Sequence, residues 1–480
     1  MESNSAGMSP SVPLNEDAPK EASPKLLRRA VTASAMGNAT EWFDYGVYAY
    51  LATEIGANFF PGEHEALGAL LGLAVSFVLR PLGGLVWGPL GDRLGRSKVL
   101  ATTILLMCSA TFLMGLLPTF DQIGIWAPIL LILLRVVQGF STGGEYGGAA
   151  TFMAEYAPDK KRGFWGSFLE FGTLAGLTAG LIIVAVLRFF LGDAAMQEWG
   201  WRIPFLVAGP LGGIGLYLRM KMEDTPVFQE LSESGESEDE ATGALKNLLK
   251  EHWKPILQLF GLVIALNVAN YLLLTYMPTY LPNTVGMSKG NAEIMVLIGQ
   301  VVMMILLPMA GALSDRIGRK PCWWISLIGL FVLSVPMFWL MGKGMVLAVI
   351  GFTVLGAIYV LQLGTISATF PAMFPSHVRY AGMAISYNVA TAAFGGTAPA
   401  INEALIGATG NPLIPAFYMM AACAVAMVAL HFVIETKGAS LRGRGVPGVF
   451  SRPAGRRPGG GGRGSGGGGT RAGQLRPTTD

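Results

Sequence analysis

The chain has 480 residues, of which 52% are hydrophobic and only 14% charged, a balance that excludes a string of soluble domains and indicates a polytopic membrane protein. The formal net charge of +3 says little by itself; its distribution along the chain says more. Cys108, Cys322 and Cys423 stand in apolar runs without CxxC spacing, so neither a disulfide framework nor a thiolate metal site is expected.

Residues 1–25 are polar and rich in Pro and Ser, with no apolar core of the kind a secretory signal needs, and read as a disordered cytoplasmic lead-in. Beyond them, the rule that about 20 mostly apolar residues cross a bilayer gives twelve spans, centred near residues 43, 78, 107, 138, 175, 211, 268, 302, 331, 358, 392 and 424. The basic residues alternate with the spans. Arg28 and Arg29, Arg93, Arg96 and Lys98, Lys160 to Arg162, Arg219 and Lys221, Arg316, Arg319 and Lys320, Arg379, and Lys437 onward all fall on one side, with Lys289 and Lys343 as exceptions on the other. The positive-inside rule then puts both termini in the cytoplasm of a multi-pass cell-membrane protein.

Span one carries GNATEWFDYGVY, residues 37–48, with two acids inside an apolar stretch. An isolated charge at the bilayer centre costs at least ~2.5 to 3.5 kcal/mol, so such acids need partners, protons or a wet cavity. At about 100° per residue, Asn38, Glu41, Asp44, Tyr45 and Tyr48 share one face of this span. In span two, Arg80 lies inside the apolar run just before Pro81, where a bend is expected. Span four gathers Arg135, Gln138, Thr142, Glu145 and Tyr146 on one stripe, and span five adds Ser167 and Glu170. The GGEYGGAA run at 143–150 lies within a span and lacks a Lys-Ser/Thr ending, so it reads as small-residue helix packing rather than a phosphate loop.

Residues 221–253 form an acidic, small-residue-rich cytoplasmic linker that divides six spans, 26–220, from six more, 254–436. The second half offers no acid at comparable depth, but Asn267, Asn270, Tyr271, Thr275, Gln362, Tyr387 and Asn388 instead. After it, residues 437–480 are rich in Gly, Pro and Arg and cannot form a coiled coil; a disordered tail is expected, with anionic lipid or nucleic acid contact the lesser reading.

The halves echo each other. GPLGDRLGRSK at 88–98 returns as GALSDRIGRKP at 311–321, Pro158 and Arg162 as Pro375 and Arg379, and MEDTP at 222–226 as IETKG at 434–438. A duplicated six-helix unit is the arrangement in which two bundles rock about a site at the membrane midplane. These G-x-L-x-D-R-x-G-R loops resemble the signature loops of the major facilitator superfamily. GNATEWFDYGVY, RPLGGLVWGPLGDRLGR, QGFSTGGEYGGA, WGWRIPF and EDTPVF are similar to its metabolite:proton symporters. LLLTYMPTYL at 272–281 and PAMFPSHVRY at 371–380 resemble the proline/glycine betaine branch more than the dicarboxylate branch.

The resemblance implies an all-α fold of twelve transmembrane helices in two six-helix bundles, and symport of a small zwitterionic osmolyte with protons. The alternative is an organic acid such as 2-oxoglutarate, citrate or shikimate. It also implies that Asp92, Arg93, Arg96, Asp315, Arg316 and Arg319 latch helix ends during alternating access. From the residues themselves, Glu41, Asp44 and Glu145 are the expected proton carriers, because a shielded carboxylate gains proton affinity that a nearby Arg pulls back. Asn38, Trp42, Tyr45, Tyr48, Arg80, Arg135, Gln138, Tyr146, Glu170, Asn267, Tyr271, Tyr387 and Asn388 are the expected substrate contacts. For Glu170 and Arg135, pairing that merely fixes helix packing is the competing reading, and for the single aromatics it is ordinary packing.

An enzyme is not expected, since His64, His252, His377 and His431 lie at loops or span ends without ligand spacing and no nucleophile motif is present. No Walker A sequence is present either. The expected driving force is a proton gradient without a cofactor, and the expected partners are a small solute, protons and lipids, with no obligate protein partner and no nucleic acid.

Overall fold

The computed structural model describes residues 24–62, 65–94, 96–143, 146, 149–150, 153–154, 157–220, 250–374, 379–439 and 441. The expected lead-in (but for its last two residues), nearly all of the linker, most of the tail, and Glu145 lie outside the described residues, as do the side chains of Asp92, Arg93 and Arg96. Among the described residues there is helix at all twelve expected centres and no strand.

In the first half the spans are Pro24–Tyr50, Glu65–Val78 continued by Arg80–Leu94, Arg96–Leu116, Trp126–Thr142, Arg162–Ala195 and Arg202–Met220. In the second they begin with Trp253–Asn270, which continues through a π-helical turn at Tyr271–Tyr276. Lys289–Ile317, Arg319–Met341, Met345–Leu363, Arg379–Phe394 with Ala398–Thr409, and Ile414–Phe432 follow. Seven helices are long and apolar enough to cross a membrane by length and composition, and Ala101–Leu116, Trp126–Thr142 and Arg202–Ile214 are shorter apolar helices. The remaining two are span one, interrupted by its acids, and span eleven, broken around residues 395–397. The break in span two falls at Leu79, immediately before Arg80 and Pro81, where the bend was expected.

Large apolar side chains coat the outside, among them Phe189, Phe190, Val346 and Val428, as a lipid-facing surface requires. Polar and charged side chains are turned inward, including Glu41, Asp44, Arg80, Arg135 and Glu170, all at 2% exposure or less. Cys108, Cys322 and Cys423 are buried thiols, none of them in a disulfide among the described residues.

Within the first half, span one packs along span five and span three along span six; within the second, span seven packs along spans eleven and twelve, and span nine along spans ten and twelve. The halves meet where span five lies along span eight, and where span two lies against span eleven. Spans one and five approach closely through glycines. A Cβ at Gly172 would lie 2.2 Å from the Ala35 carbonyl oxygen, and one at Gly176 would lie 2.1 Å from that of Ala39. Without a bulky side chain the backbones can come this near, the standard device of membrane helix packing. The same approach brings Asn38 of span one to span five, where its amide donates to the Leu169 carbonyl at 2.8 Å and to Thr173 Oγ1 at 2.6 Å.

Gly176→Val therefore forces backbone apart rather than a flexible side chain. It should lower the thermal midpoint in detergent well beyond what Gly213→Ala does, since a Cβ at Gly213 meets nothing within 4 Å. Equal midpoints for the two variants would show that the span one to span five contact is not a tight one.

Candidate functional site

Spans one, two and four build the centre of the first bundle. Glu41 of span one and Arg80 of span two form an ion pair with both side chains at 2% exposure. Arg80 Nε donates to Thr142 Oγ1 at 3.1 Å, and the Tyr45 hydroxyl is 2.9 Å from the same Thr142 oxygen. The pair is thus neutral as a unit and fixed from two sides, which is what the low-dielectric interior demands of buried charge.

Around it stands an aromatic box. Tyr45 and Phe77 have ring centroids 4.7 Å apart, Phe77 and Tyr271 stand edge to face at 5.0 Å, and Trp42 lies 5.9 Å from Tyr271 and 6.1 Å from Tyr45. The Arg80 guanidinium lies 5.2 Å and 5.0 Å from the Tyr45 and Phe77 centroids. Trp42 Nε1 and the Tyr271 hydroxyl are buried and make no hydrogen bond among the described residues, two donors left for something else. Tyr271 opens the π-helical turn of span seven, so the second half supplies one wall of the box.

Arg135 sits behind this box. Its guanidinium donates to Gln138 Oε1, to Ser76 Oγ at 2.9 Å and to the Gly72 carbonyl at 3.3 Å, and it lies 4.1 Å from the Tyr48 ring centroid. Tyr48 in turn donates to the Ala69 carbonyl at 3.0 Å. Both residues are therefore occupied within the first bundle. Gln138 Nε2 donates to Thr111 Oγ1 at 3.0 Å, and Thr111 donates to Asp44 Oδ2 at 3.1 Å. Asp44 Oδ1 is buried without a partner, and no cation among the described residues pairs with this acid.

Glu170 forms a separate centre. It accepts from Tyr146 at 2.5 Å and from Thr173 at 3.0 Å, and Tyr146 stacks on Tyr387 of span eleven with centroids 4.3 Å apart and planes 16° from parallel. The expected neutral groups of the second half are engaged elsewhere: Asn267 donates to Thr391 at 2.9 Å, Asn270 accepts from Tyr359 at 3.0 Å, and Asn388 donates to the Gly143 carbonyl at 2.8 Å.

The two ends of the molecule are joined across the halves. At the end carrying the basic loops, the Asp315 carboxylate of span eight accepts from the backbone amides of Gly163 and Phe164 at 2.8 and 2.9 Å, capping the first turn of span five. Arg319 holds Asp315 at 2.7 Å, while Arg316 is exposed. Glu435, from the IETKG echo, accepts from the amides of Arg319 and Lys320 at 3.0 and 2.9 Å.

At the far end, Glu54 Oε1 accepts from Arg188 and Lys289, each at 3.0 Å, and Arg188 also donates to Glu293 at 2.7 Å and to Asp193 at 2.8 Å. Spans five and eight are thus tied by charge at one end and by a cap at the other. Thr142 stands on the polar stripe expected of span four, whereas sequence reasoning missed Phe77, Thr111, Glu54, Arg188, Glu293 and the role of Glu435. Three of them, Glu54, Arg188 and Glu293, carry the signal that singled out Glu41, an ionisable residue inside an apolar helix.

Twelve spans in two bundles, with buried ionisable residues at the seam and in the bundle interiors, define a secondary carrier that works by alternating access. The profile of the Major Facilitator Superfamily matches residues 35–400. The proline/betaine transporter of Escherichia coli (strain K12) is 43% identical over 427 residues, 87% of this chain and 85% of that protein. The glycine betaine/proline/ectoine/pipecolic acid transporter OusA of Dickeya dadantii (strain 3937) is 42% identical, over the same shares. Among solved structures, the partially occluded inward-open xylose transporter XylE from E. coli superposes with a TM-score of 0.67 at 18% identity, over 86% of this chain and 99% of that one. The chain belongs to the major facilitator superfamily and is a transporter.

Removing one member of a buried charge cluster leaves the others uncompensated, at about 3 to 5 kcal/mol, whereas a partly exposed pair is worth ~1 kcal/mol or less. Arg188→Ala should therefore lower the thermal midpoint far more than Lys289→Ala, since the Lys289 side chain is 28% exposed. Equal shifts would remove Arg188 from the centre of the far-end closure.

Proposed function

We propose that this chain is a proton-coupled symporter of a small zwitterionic osmolyte of the proline or glycine betaine type, taken up across the cell membrane with both termini in the cytoplasm. The observation that carries the reading is the neutral Glu41–Arg80 pair set in the aromatic box of Trp42, Tyr45, Phe77 and Tyr271. A zwitterion is neutral overall and carries one charge of each sign. Its quaternary or secondary ammonium is held by aromatic faces, worth ~0.5 to 2 kcal/mol when water is excluded. Its carboxylate takes the guanidinium of Arg80 and the free donors Trp42 Nε1 and Tyr271 OH through charge-assisted hydrogen bonds. A dianion would ask for a second cation, and Arg135, the other one in this bundle's centre, is committed to Gln138, Ser76 and Gly72. The names of the relatives support the same substrate class.

The bundle boundaries proposed are 26–220 and 254–436, with the basic end of the molecule facing the cytoplasm, as the positive-inside rule requires. Alternating access then consists of breaking the Glu54–Arg188–Glu293 cluster to open the outer side and the Asp315 cap on span five to open the inner side. Of the acids of span one, Asp44 is the proposed proton carrier: Glu41 is held as an anion by Arg80, while Asp44 has one oxygen without a partner and only a hydroxyl on the other.

In liposomes with a more acidic exterior, the purified protein should accumulate labelled betaine and proline, and an uncoupler should abolish the accumulation. Trp42→Ala and Tyr271→Ala should weaken betaine uptake by roughly three- to thirtyfold, one aromatic face each, with insertion intact. Uptake of 2-oxoglutarate but not of betaine or proline would overturn the assignment.

A further inference from the structure

Glu170 is buried at 2% exposure, and its partners among the described residues are two hydroxyls and no cation. An ionised carboxylate in that position has no counter-charge to offset its loss of water, and such a group is expected to be neutral during part of a working cycle. Its surroundings are specific. Tyr146 of span four donates to one oxygen and Thr173 to the other, and Thr173 is itself held by Asn38, three residues from Glu41. Tyr387 of span eleven and Tyr359 of span ten are the titratable groups facing it from the second half. Arg80, the cation nearest in the chain of contacts, is paired with Glu41.

The position matters as much as the partners. Tyr146 stacks on Tyr387 across the seam between the halves, and Asn388, the next residue, donates to the Gly143 carbonyl on the same stretch of span four. Glu170 lies eight residues into span five from its Arg162 start, about 12 Å along a helix. Asp44 lies deeper, on the far side of Glu41 and Asn38.

We propose that Glu170 is a second proton-binding station, on the cytoplasmic side of the substrate box, whose occupancy is read by the seam between the halves. The ionised carboxylate accepts from Tyr146 and holds it against Tyr387. A proton arriving from the outside turns one oxygen into a donor, removes the charge that strengthens the Tyr146 bond, and frees spans four and eleven to part. Release of that proton to the cytoplasm restores the carboxylate and the contact. This rests on the chain being a proton-coupled carrier of betaine, which the wild-type protein tests separately.

The experiment uses the full chain in liposomes loaded with a trapped pH dye. Wild type should move protons when betaine is added; if it does not, the symport reading fails before any variant is considered. Glu170→Gln should lose gradient-driven accumulation and betaine-elicited proton flux, while exchange of betaine between equal pools, which needs no net proton movement, remains measurable. Tyr146→Phe removes a hydrogen bond that favours the charged form, so the pH of half-maximal uptake should rise by about one unit. Should Glu170→Gln fail to insert, the Tyr146→Phe pH profile decides. Wild-type proton flux in Glu170→Gln, or an unmoved profile in Tyr146→Phe, overturns the proposal.

Discussion

Ionised groups cannot stand alone in a low-dielectric interior, and the placement of nearly every polar residue in this protein answers to that constraint. Three of the buried acids of the first bundle meet it in three ways. Glu41 takes a full counter-charge from Arg80. Asp44 takes a single hydroxyl and leaves an oxygen open. Glu170 takes two hydroxyls, one of them on a tyrosine that touches the other half. The three differ in how far their charge is compensated. A carboxylate held by an arginine is costly to protonate, whereas one held by hydroxyls can gain or lose its charge at a cost the fold tolerates.

The same constraint shapes the closure of the two ends. At the basic end the seam is held by backbone amides on a carboxylate, the positive end of span five meeting Asp315. At the far end it is held by side chains, with Arg188 gathering Glu54, Glu293 and Asp193. The two closures respond to different perturbations. A cap at a helix start breaks when the helix end shifts by an ångström or two, because amide geometry is strict. A charge cluster tolerates small shifts and is weakened when water enters and screens it. Span five carries both contacts, so a tilt of this one helix against span eight is felt at both ends.

Much of this was legible in the residues. Ionisable side chains in apolar runs, the break before Pro81 and the repeated D-R-x-G-R loops stand out in the sequence, and helix is found at every expected centre. Which side chains meet was not legible, since helical periodicity assigns a face but not the neighbour across it. Tyr48 shares the face of Tyr45, but periodicity did not show that the Arg135 guanidinium would lie over its ring. Tyr271 was legible as a polar aromatic of span seven, but not that its ring would meet Trp42 and Phe77 of the first half. Phe77 looked like one more apolar residue of span two until the bend at Leu79 set it against Tyr45.

The proposed substrate box and Glu170 are connected by a short run of contacts. Glu41, paired with Arg80, sits one turn along span one from Asn38, from which the run of non-covalent contacts continues: Asn38 holds Thr173, which holds Glu170, which holds Tyr146 against Tyr387. Each link is a hydrogen bond or a ring contact with two discrete states, made or broken, the kind of element that can pass a change of occupancy without a large displacement. A solute that draws Arg80 towards its carboxylate loosens the hold on Glu41 and hence on span one at Asn38. Span one is packed on span five through Gly172 and Gly176 with no slack, so movement there is transmitted to Glu170 rather than absorbed. In the proposed cycle, tight packing between spans one and five couples substrate binding to the seam, and a looser contact there would let solute and proton act independently.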